Sequence, residues 1–346
     1  MQILRFGIRN QLLLILLGVF LYFHFASPFF ATGFNLITLG REGAEFGLIC
    51  IGVTLVMILG RLDISVGSVM AVSALIMIIG YKTLEIHWGY LIPICLLFGL
   101  LIGTINGLLT AIIGVPSFIA TLGTLIILRG LMQWAASTEW MREANSVFST
   151  DAAFQFIGGG DVGGVVPLSV VLLAILFAAV LFVLRYTRIG TAIYAFGGNF
   201  QAATRAGIRI KLLEVGVFAF SGVCAALAGV LLASRLDSVT YQTGQYLEFQ
   251  VLIAVILGGT SIAGGVGTIW GTILGISLIA ILNNGMVMTA TDRDVQDIVV
   301  ALFLLFALFS DRLTYRLRGG SGTWKMADIG QAMAWIRQLT VRGDRS

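Results

Sequence analysis

Along the first 310 residues, apolar runs alternate with short polar breaks. Ten runs have the length and apolarity of membrane crossings, at about 11–30, 43–60, 64–81, 90–113, 117–136, 165–184, 213–233, 245–259, 266–288 and 295–310. A bilayer core of roughly 30 Å takes about 20 helical residues to cross. The runs lack the apolar–polar alternation of a membrane β-barrel. The pattern predicts an all-α polytopic membrane protein with about ten transmembrane helices. Two longer breaks, 137–164 and 185–212, read as non-helical connections, the second holding one short helix.

Composition agrees. Of 346 residues, 58% are apolar and 11% charged, well below the charge of a soluble domain. Forty-three glycines against four prolines suit helices packed closely in lipid. Cys50, Cys95 and Cys224 all lie in apolar runs, as free buried thiols do. Arg5 and Arg9 precede the first run, but no small-x-small cleavage site follows it, so it reads as a retained helix.

Basic residues then set the orientation, because they gather in cytoplasmic loops. With the N-terminus inside, 15 of the 21 Lys and Arg residues fall on the cytoplasmic side: Arg5, Arg9, Arg61, five in 185–212 and seven beyond 310. Both termini are then cytoplasmic. Residues 1–318 make the membrane domain and 319–346 a tail. In that tail Met326, Ile329, Met333, Ile336 and Leu339 share one helical face, as an interfacial helix requires; a solvated tail fits equally.

Several function classes drop out. There is no phosphate-binding G-x-x-x-x-G-K-[ST] loop, and the glycine-rich stretch 258–268 lacks the strand and acidic residue of a dinucleotide site. His24 and His87 stand apart from any Cys or carboxylate cluster. No metal centre, cofactor, catalytic set or nucleic-acid partner is expected, and the chain does not read as an enzyme. The carboxylates of the apolar runs, Glu45, Asp63, Glu248 and Asp297, all fall near predicted helix ends. That disfavours a proton-driven carrier and favours a path worked by a separate motor.

Two kinds of segment carry functional expectations. In 185–214 the helical pattern breaks at Gly197, Gly198 and Asn199; Asn199 can cap a short helix that ends at Gly207. A 28-residue loop is uncommon unless it binds something. Gly190, Tyr194, Gly197, Gly198, Asn199, Ala202, Arg205 and Gly207 are its candidate docking residues, against the alternative of a plain connector.

The other kind is polar residues among apolar ones. "GRLDISVGSV" (60–69) supplies Asp63, Ser65 and Ser68, either as a turn in which Asp63 or Ser65 caps the next helix or as a buried polar site. Asn106 either lines a path or makes an interhelical hydrogen bond; Thr121 and Thr124 either line the path too or satisfy carbonyls of their own helix. Gly258, Gly259, Thr260, Ser261, Gly264 and Gly265 form either a tight turn or a gate hinge. Asn283 and Asn284 are adjacent and cannot share a helix face, so one of them faces a cavity or a dimer contact. "VGSV" (66–69) and "VGTI" (266–269) form a weak internal echo.

Taken together, "GRLDISVGS" (60–68), "GTINGLL" (103–109), "VPSFIATLGTLIILRG" (115–130), "RIGTAIYAFGGNFQAATRAGI" (188–208) and "FQVLIAVILGGTSIAGGVGTIWGTILG" (249–275) resemble the membrane permease of the ribose-type sugar importers of the ATP-binding cassette (ABC) class. The stretches follow that family's order over most of residues 40–310. The resemblance implies a multi-pass permease of the bacterial inner membrane that pairs with a second permease chain. It implies two ABC ATPase subunits docked inside, at the glycine–asparagine loop, and an extracytoplasmic sugar-binding protein outside. The alternatives are a branched-chain amino acid or nucleoside permease of related architecture, or a stand-alone secondary carrier. One position departs from the family pattern. Where a second glycine is common, this chain has Arg61, whose charge calls for water or a carboxylate such as Asp63.

Overall fold

The computed structural model describes residues 2–309 except Val147, Phe148, Thr150, Arg293, Asp297, Leu304, Ala307 and Leu308. Its helices are α1 (Gln2–Ala26), α2 (Gly33–Ile58), α3 (Val66–Lys82), α4 (Trp88–Leu108, running into a π-turn at Leu109–Ile113), α5 (Ser117–Ala136), α6 (Glu139–Ser146) and α7 (Ala152–Gly159). A minimal antiparallel hairpin of β1 (Asp161–Val162) and β2 (Val166–Pro167) follows. Then come α8 (Leu168–Tyr186), α9 (Arg188–Gly198), α10 (Phe200–Arg205), α11 (Ile210–Leu236), α12 (Leu247–Leu257) and α13 (Ile269–Met288). From Asp294 to Phe309 the described residues are helical again. The predicted tail helix and Asp297 lie outside the described residues.

Among the described residues, five helices are long and apolar enough to cross a membrane: Trp88–Ile113, Ser117–Ala136, Leu168–Tyr186, Ile210–Leu236 and Ile269–Met288. α2 spans 26 residues but carries Arg41, Glu42 and Glu45. At 17 and 11 residues, α3 and α12 are shorter than a full crossing.

The fold is organised around α11. Small residues let α4 lie directly on it: Gly99 abuts Gly222, Gly103 abuts Phe218 and Ala219, and Gly107 abuts Val215. A Cβ on Gly107 would come within 2.7 Å of the Val215 Cα. Spacing of four along a helix is the small-residue seam by which helices pack where lipid removes the hydrophobic drive. α2 and α3 enclose other faces of α11, leaving it mostly buried. By contrast α4, α5 and α8 turn Leu97, Leu101, Ile126, Ile127, Ile175 and Phe182 outward.

The connections gather at the two ends of α11. Near Ile210 lie 59–65, 114–116, 187–209 and 258–268, joined by contacts described below. Near Leu236 lie the segments around Lys82, Trp88, Ser149, Asp151 and Asp237. Lys82 pairs with Asp237 at 3.0 Å, the Ser149 N–H donates to Asp237, and Trp88 Nε1 and the Tyr81 hydroxyl donate to Asp151.

Two expectations are corrected here. The 137–164 connection is not non-helical; it holds α6, α7 and most of the hairpin. These helices have eight residues each, too short to print a sustained period in sequence. Asp151 caps α7 by accepting from Ala153 N and Phe154 N. Second, Glu45 is not near a helix end. α2 begins at Gly33, ten residues before the apolar run, which puts Glu45 well inside the helix. There it accepts two hydrogen bonds from Arg235 at 2.7 and 2.9 Å.

Candidate translocation and coupling site

After Ile58 the chain does not turn straight into the next helix. Gly60 adopts φ +72°, a left-handed conformation that costs glycine little, and residues 61–65 run back into the bundle. Along α11 the partners of this segment climb. Arg61 Nε pairs with Glu214 at 2.7 Å, and Asp63 accepts from Ser221 at 2.9 Å. At 1.5 Å per residue these levels lie roughly 6 and 16 Å from the start of α11. The break therefore reaches the interior of the bundle before α3 begins.

Non-helical backbone at such depth is tolerated only when its polar groups are satisfied by protein. The Leu62 N–H donates to Ser117 Oγ, and the Ile64 N–H to Thr121 Oγ1. Ser65 N–H donates to Asp63 Oδ1 at 3.0 Å. Ser65 stands at the N-cap of α3 but makes no side-chain cap; Ser68 Oγ donates to the Ser65 carbonyl instead. The capped-turn reading is thus replaced by a buried polar site, because Asp63 and Ser65 spend their side chains on each other and on neighbouring helices.

That site is one connected chain. Thr124 Oγ1 donates to Asn106 Oδ1 at 2.6 Å, Asn106 Nδ2 to Ser65 Oγ at 3.0 Å, and Ser65 Oγ to Asp63 Oδ1 at 2.6 Å. Ser221 closes it on the other carboxylate oxygen. Asp63, Ser65, Ser68, Asn106 and Thr121 are buried; Thr124 is half-buried. The chain ties α3, α4, α5 and α11 together with its side chains mutually satisfied. A full network of this kind rigidifies one arrangement, and a half-broken one is costly.

Arg61 finds the kind of carboxylate partner its charge calls for. Arg61 pairs with Glu214, not Asp63, and its guanidinium lies over the Phe196 ring, 5.7 Å from the centroid. Nothing in the local sequence signals Glu214, because 153 residues separate it from Arg61.

The second group of candidates meets the loop of the first. In the α12–α13 turn the Gly265 N–H donates to Ile58 O at 2.8 Å. Gly264 (φ +84°) lies on Gly60: a Cβ there would reach Gly60 N and Cα at 2.7 Å. A Cβ on Gly197 would strike Ile58 O and come within 2.5 Å of Gly265 N, whereas Gly198 faces open space. Tyr194 donates its hydroxyl to Gly267 O at 2.9 Å, and burial raises its phenol above the usual range. Gly258 abuts Gly271 across the turn. Thr260 is fully buried, and Ser261 N–H closes the turn on Val266 O. Gly259 (φ +87°) has open space around it.

The 187–209 connection holds two helices, not one. Thr187 caps α9, with Gly190 pressed against the end of α8. Asn199 caps α10, accepting from Ala202 N at 2.9 Å, and Gly207 follows with φ +78°. Ile193 and Phe196 point inward. Ala202, Arg205, Gly207 and the large apolar Ile189 and Phe200 are exposed. α9 escapes sequence reading because it continues directly from the apolar run of α8, with only Thr187 between them.

Asn283 and Asn284 join neither group. Asn284 and Asn35 exchange two hydrogen bonds, at 2.8 and 3.0 Å, and Asn283 donates to Gln250 at 2.9 Å. The two amides do point apart, but each meets a neighbouring segment. Sequence reasoning also passed over Arg129. Its guanidinium donates to the carbonyls of Thr243 and Gly244 and lies 4.0 Å from Glu248. It thereby holds the start of the short α12 against α5, beside Gly67 of α3.

Comparisons with known proteins add the following. A family profile described as branched-chain amino acid transport system / permease component matches residues 35–308. The chain is 35% identical over 311 residues to the ribose import permease protein RbsC of Haemophilus influenzae, covering 90% of this chain and 95% of that one. It is 35% identical over 289 residues to RbsC of Escherichia coli K12, covering 82% and 88%. It is also 33% identical over 268 residues to the autoinducer 2 import system permease protein LsrC of Photorhabdus luminescens, covering 76% and 77%. No solved structure matches.

Proposed function

We propose that this chain, which belongs to the branched-chain amino acid transport system / permease component family, is the membrane permease subunit of an ABC importer for a monosaccharide or a related polyhydroxylated compound. The relatives at about a third identity over most of the chain import ribose and autoinducer 2 by name, and none of these names points to amino acids or nucleosides. The protein is a multi-pass transport subunit, and ATP hydrolysis belongs to partner chains.

The observation that carries the mechanism is the junction of the two candidate groups. The exposed α9–α10 face is the docking surface for an ABC ATPase subunit. Its inner face holds the α12–α13 turn through Tyr194 and Gly197, and that turn holds the end of α2 through Gly265. Displacement of α9 therefore acts on the break at 59–65, and through it on the buried chain from Asp63 to Thr124. In this reading those residues form the gate. A sugar path needs only weak contacts, because the extracytoplasmic sugar-binding protein supplies selectivity and the path must release what it takes.

About ten crossings complete the reading, with α2, α3, α12 and the helix beyond Asp294 joining the five long apolar helices and α1. The connections near Ile210 are cytoplasmic, in keeping with the basic residues of 185–212, and both termini lie on the cytoplasmic side of the inner membrane. A second permease chain, the same or a sister, completes the path. Reconstitution with the ATPase and binding protein in proteoliposomes tests this. ATP hydrolysis should rise with one sugar of a panel of pentoses, hexoses and polyols. Uptake that persists without the ATPase would overturn the reading in favour of a lone carrier.

A further inference from the structure

The coupling reading leaves open which side chain carries motion of α9 into the buried break. The Gly197 backbone and the Tyr194 hydroxyl reach Ile58 and the α12–α13 turn but stop at the mouth of the segment. One side chain bridges further. Arg61 lies inside the break and touches two elements at once: its guanidinium covers the Phe196 ring of α9, and its Nε donates to Glu214 of α11. Phe196 and the Glu214 side chain are almost fully buried, and Arg61 is about a quarter exposed. Arg61 is the only ion-pair partner of Glu214 among the described residues. Two residues on, Asp63 begins the chain that reaches Thr124.

We propose that Arg61 is a positioning residue for ATP-driven gating, a clamp that couples the docking helix α9 to α11 and to the buried 60–65 break. This rests on the permease reading above and names the side chain that transmits its motion. A planar guanidinium suits the role, because it can stack on an aromatic face while an edge nitrogen holds a carboxylate. When α9 moves, Phe196 carries the guanidinium with it. The paired Glu214 then resists, so the displacement is taken up by the backbone at Arg61 rather than lost in a side-chain swing. A glycine here would leave α9 the contacts at the mouth of the break, Gly197 on Ile58 and the α12–α13 turn, without the link to Glu214.

The test is amide hydrogen exchange on the complex assembled with its ATPase subunits, with and without a non-hydrolysable ATP analogue. In the wild type, exchange should change several-fold both in the 188–207 peptides and in the 60–68 peptides. In Arg61→Ala the response of 188–207 should remain and that of 60–68 should fall to background. The neutral pair Arg61→Met with Glu214→Gln should behave in the same way without leaving a buried charge alone, which guards against misfolding of the single variant. Phe196→Leu should weaken the 60–68 response, and Phe196→Tyr, which keeps the ring, should restore it. A 60–68 response that survives both Arg61 variants would overturn the proposal, as would its absence from the wild type. Absence of any nucleotide response in wild-type 188–207 would instead overturn the docking role of α9–α10.

Discussion

The two ends of the bundle are held by different physics. Near Ile210 glycines bring backbone against backbone, beside the Arg61–Glu214 pair: Gly60 on Gly264, Gly197 on Ile58 and Gly265, Gly258 on Gly271. Near Leu236 the contacts are mostly charge and side-chain hydrogen bonds: Lys82 with Asp237, Arg235 with Glu45, Arg41 with Asp161, and Asp151 with Tyr81 and Trp88. A glycine contact is short-ranged and has few alternatives, since adding one carbon removes it. A set of ion pairs holds its elements through a longer-ranged attraction and does not demand contact of main chains. The first kind suits a junction that must change between discrete packings. The second suits an end whose connections stay together.

That contrast can be broken at either end. The largest effect belongs to Lys82→Met. Both partners of the Lys82–Asp237 pair are nearly buried, and stranding such a carboxylate costs about 3–5 kcal/mol. The unfolding midpoint of the detergent-solubilised protein should drop sharply, and an unchanged midpoint would remove charge as what holds that end.

Next comes Gly197→Ala, set against Gly198→Ala. The first forces main chain away from Ile58 and Gly265, an overpacking of about 1–3 kcal/mol or more; the second meets nothing. Co-purification with the ATPase should be lost in the first and kept in the second. Equal behaviour would mean that the close approach at Gly197 is not what joins the loops.

A smaller loss is expected for Asn284→Leu, which removes a neutral interhelical clasp with Asn35. Such bonds average about 0.6 kcal/mol in a membrane protein, so stability should fall little. Transport should be nearly unaffected if the gate lies at Asp63–Thr124 instead; an abolished uptake rate would move the path toward α13.

The smallest effect is a pH dependence at the charged end. The N–H of Phe154, with Trp88, Ala153 and Tyr81 as further donors, holds the Asp151 carboxyl below the usual range. Its folded value is lowered, so its contribution is present above the unfolded value of about 3.9 and is lost as pH falls through the folded one. A thermal midpoint followed downward from pH 6 should fall more steeply below about pH 4 in the wild type than in Asp151→Asn.

Much of this was legible in the residues. Apolar run length gave the helices at 117–136 and 266–288 nearly to their ends, and Asn199 and Gly207 marked α10 through local capping chemistry. Capping and periodicity are properties of neighbours in the chain, so sequence records them. α7 was missed because eight residues are too few to show a period, and α9 because it is almost fused to α8. Glu45 was misplaced because the polar first turns of α2 do not look like membrane helix.

By itself, then, the sequence determined a helical membrane protein, its polar exceptions and the two stretches proposed for coupling. What it could not decide was who meets whom. Arg61 finds Glu214, Asn284 finds Asn35, and Gly197 lies on Ile58 across 139 positions of chain. Whether "GRLDISVGSV" was a surface turn or a buried break hung on the same question. A buried carboxylate such as Asp63 is affordable only where other helices bring hydroxyls and amides to it. The packing of α4, α5 and α11 brings them there, and no local pattern encodes that.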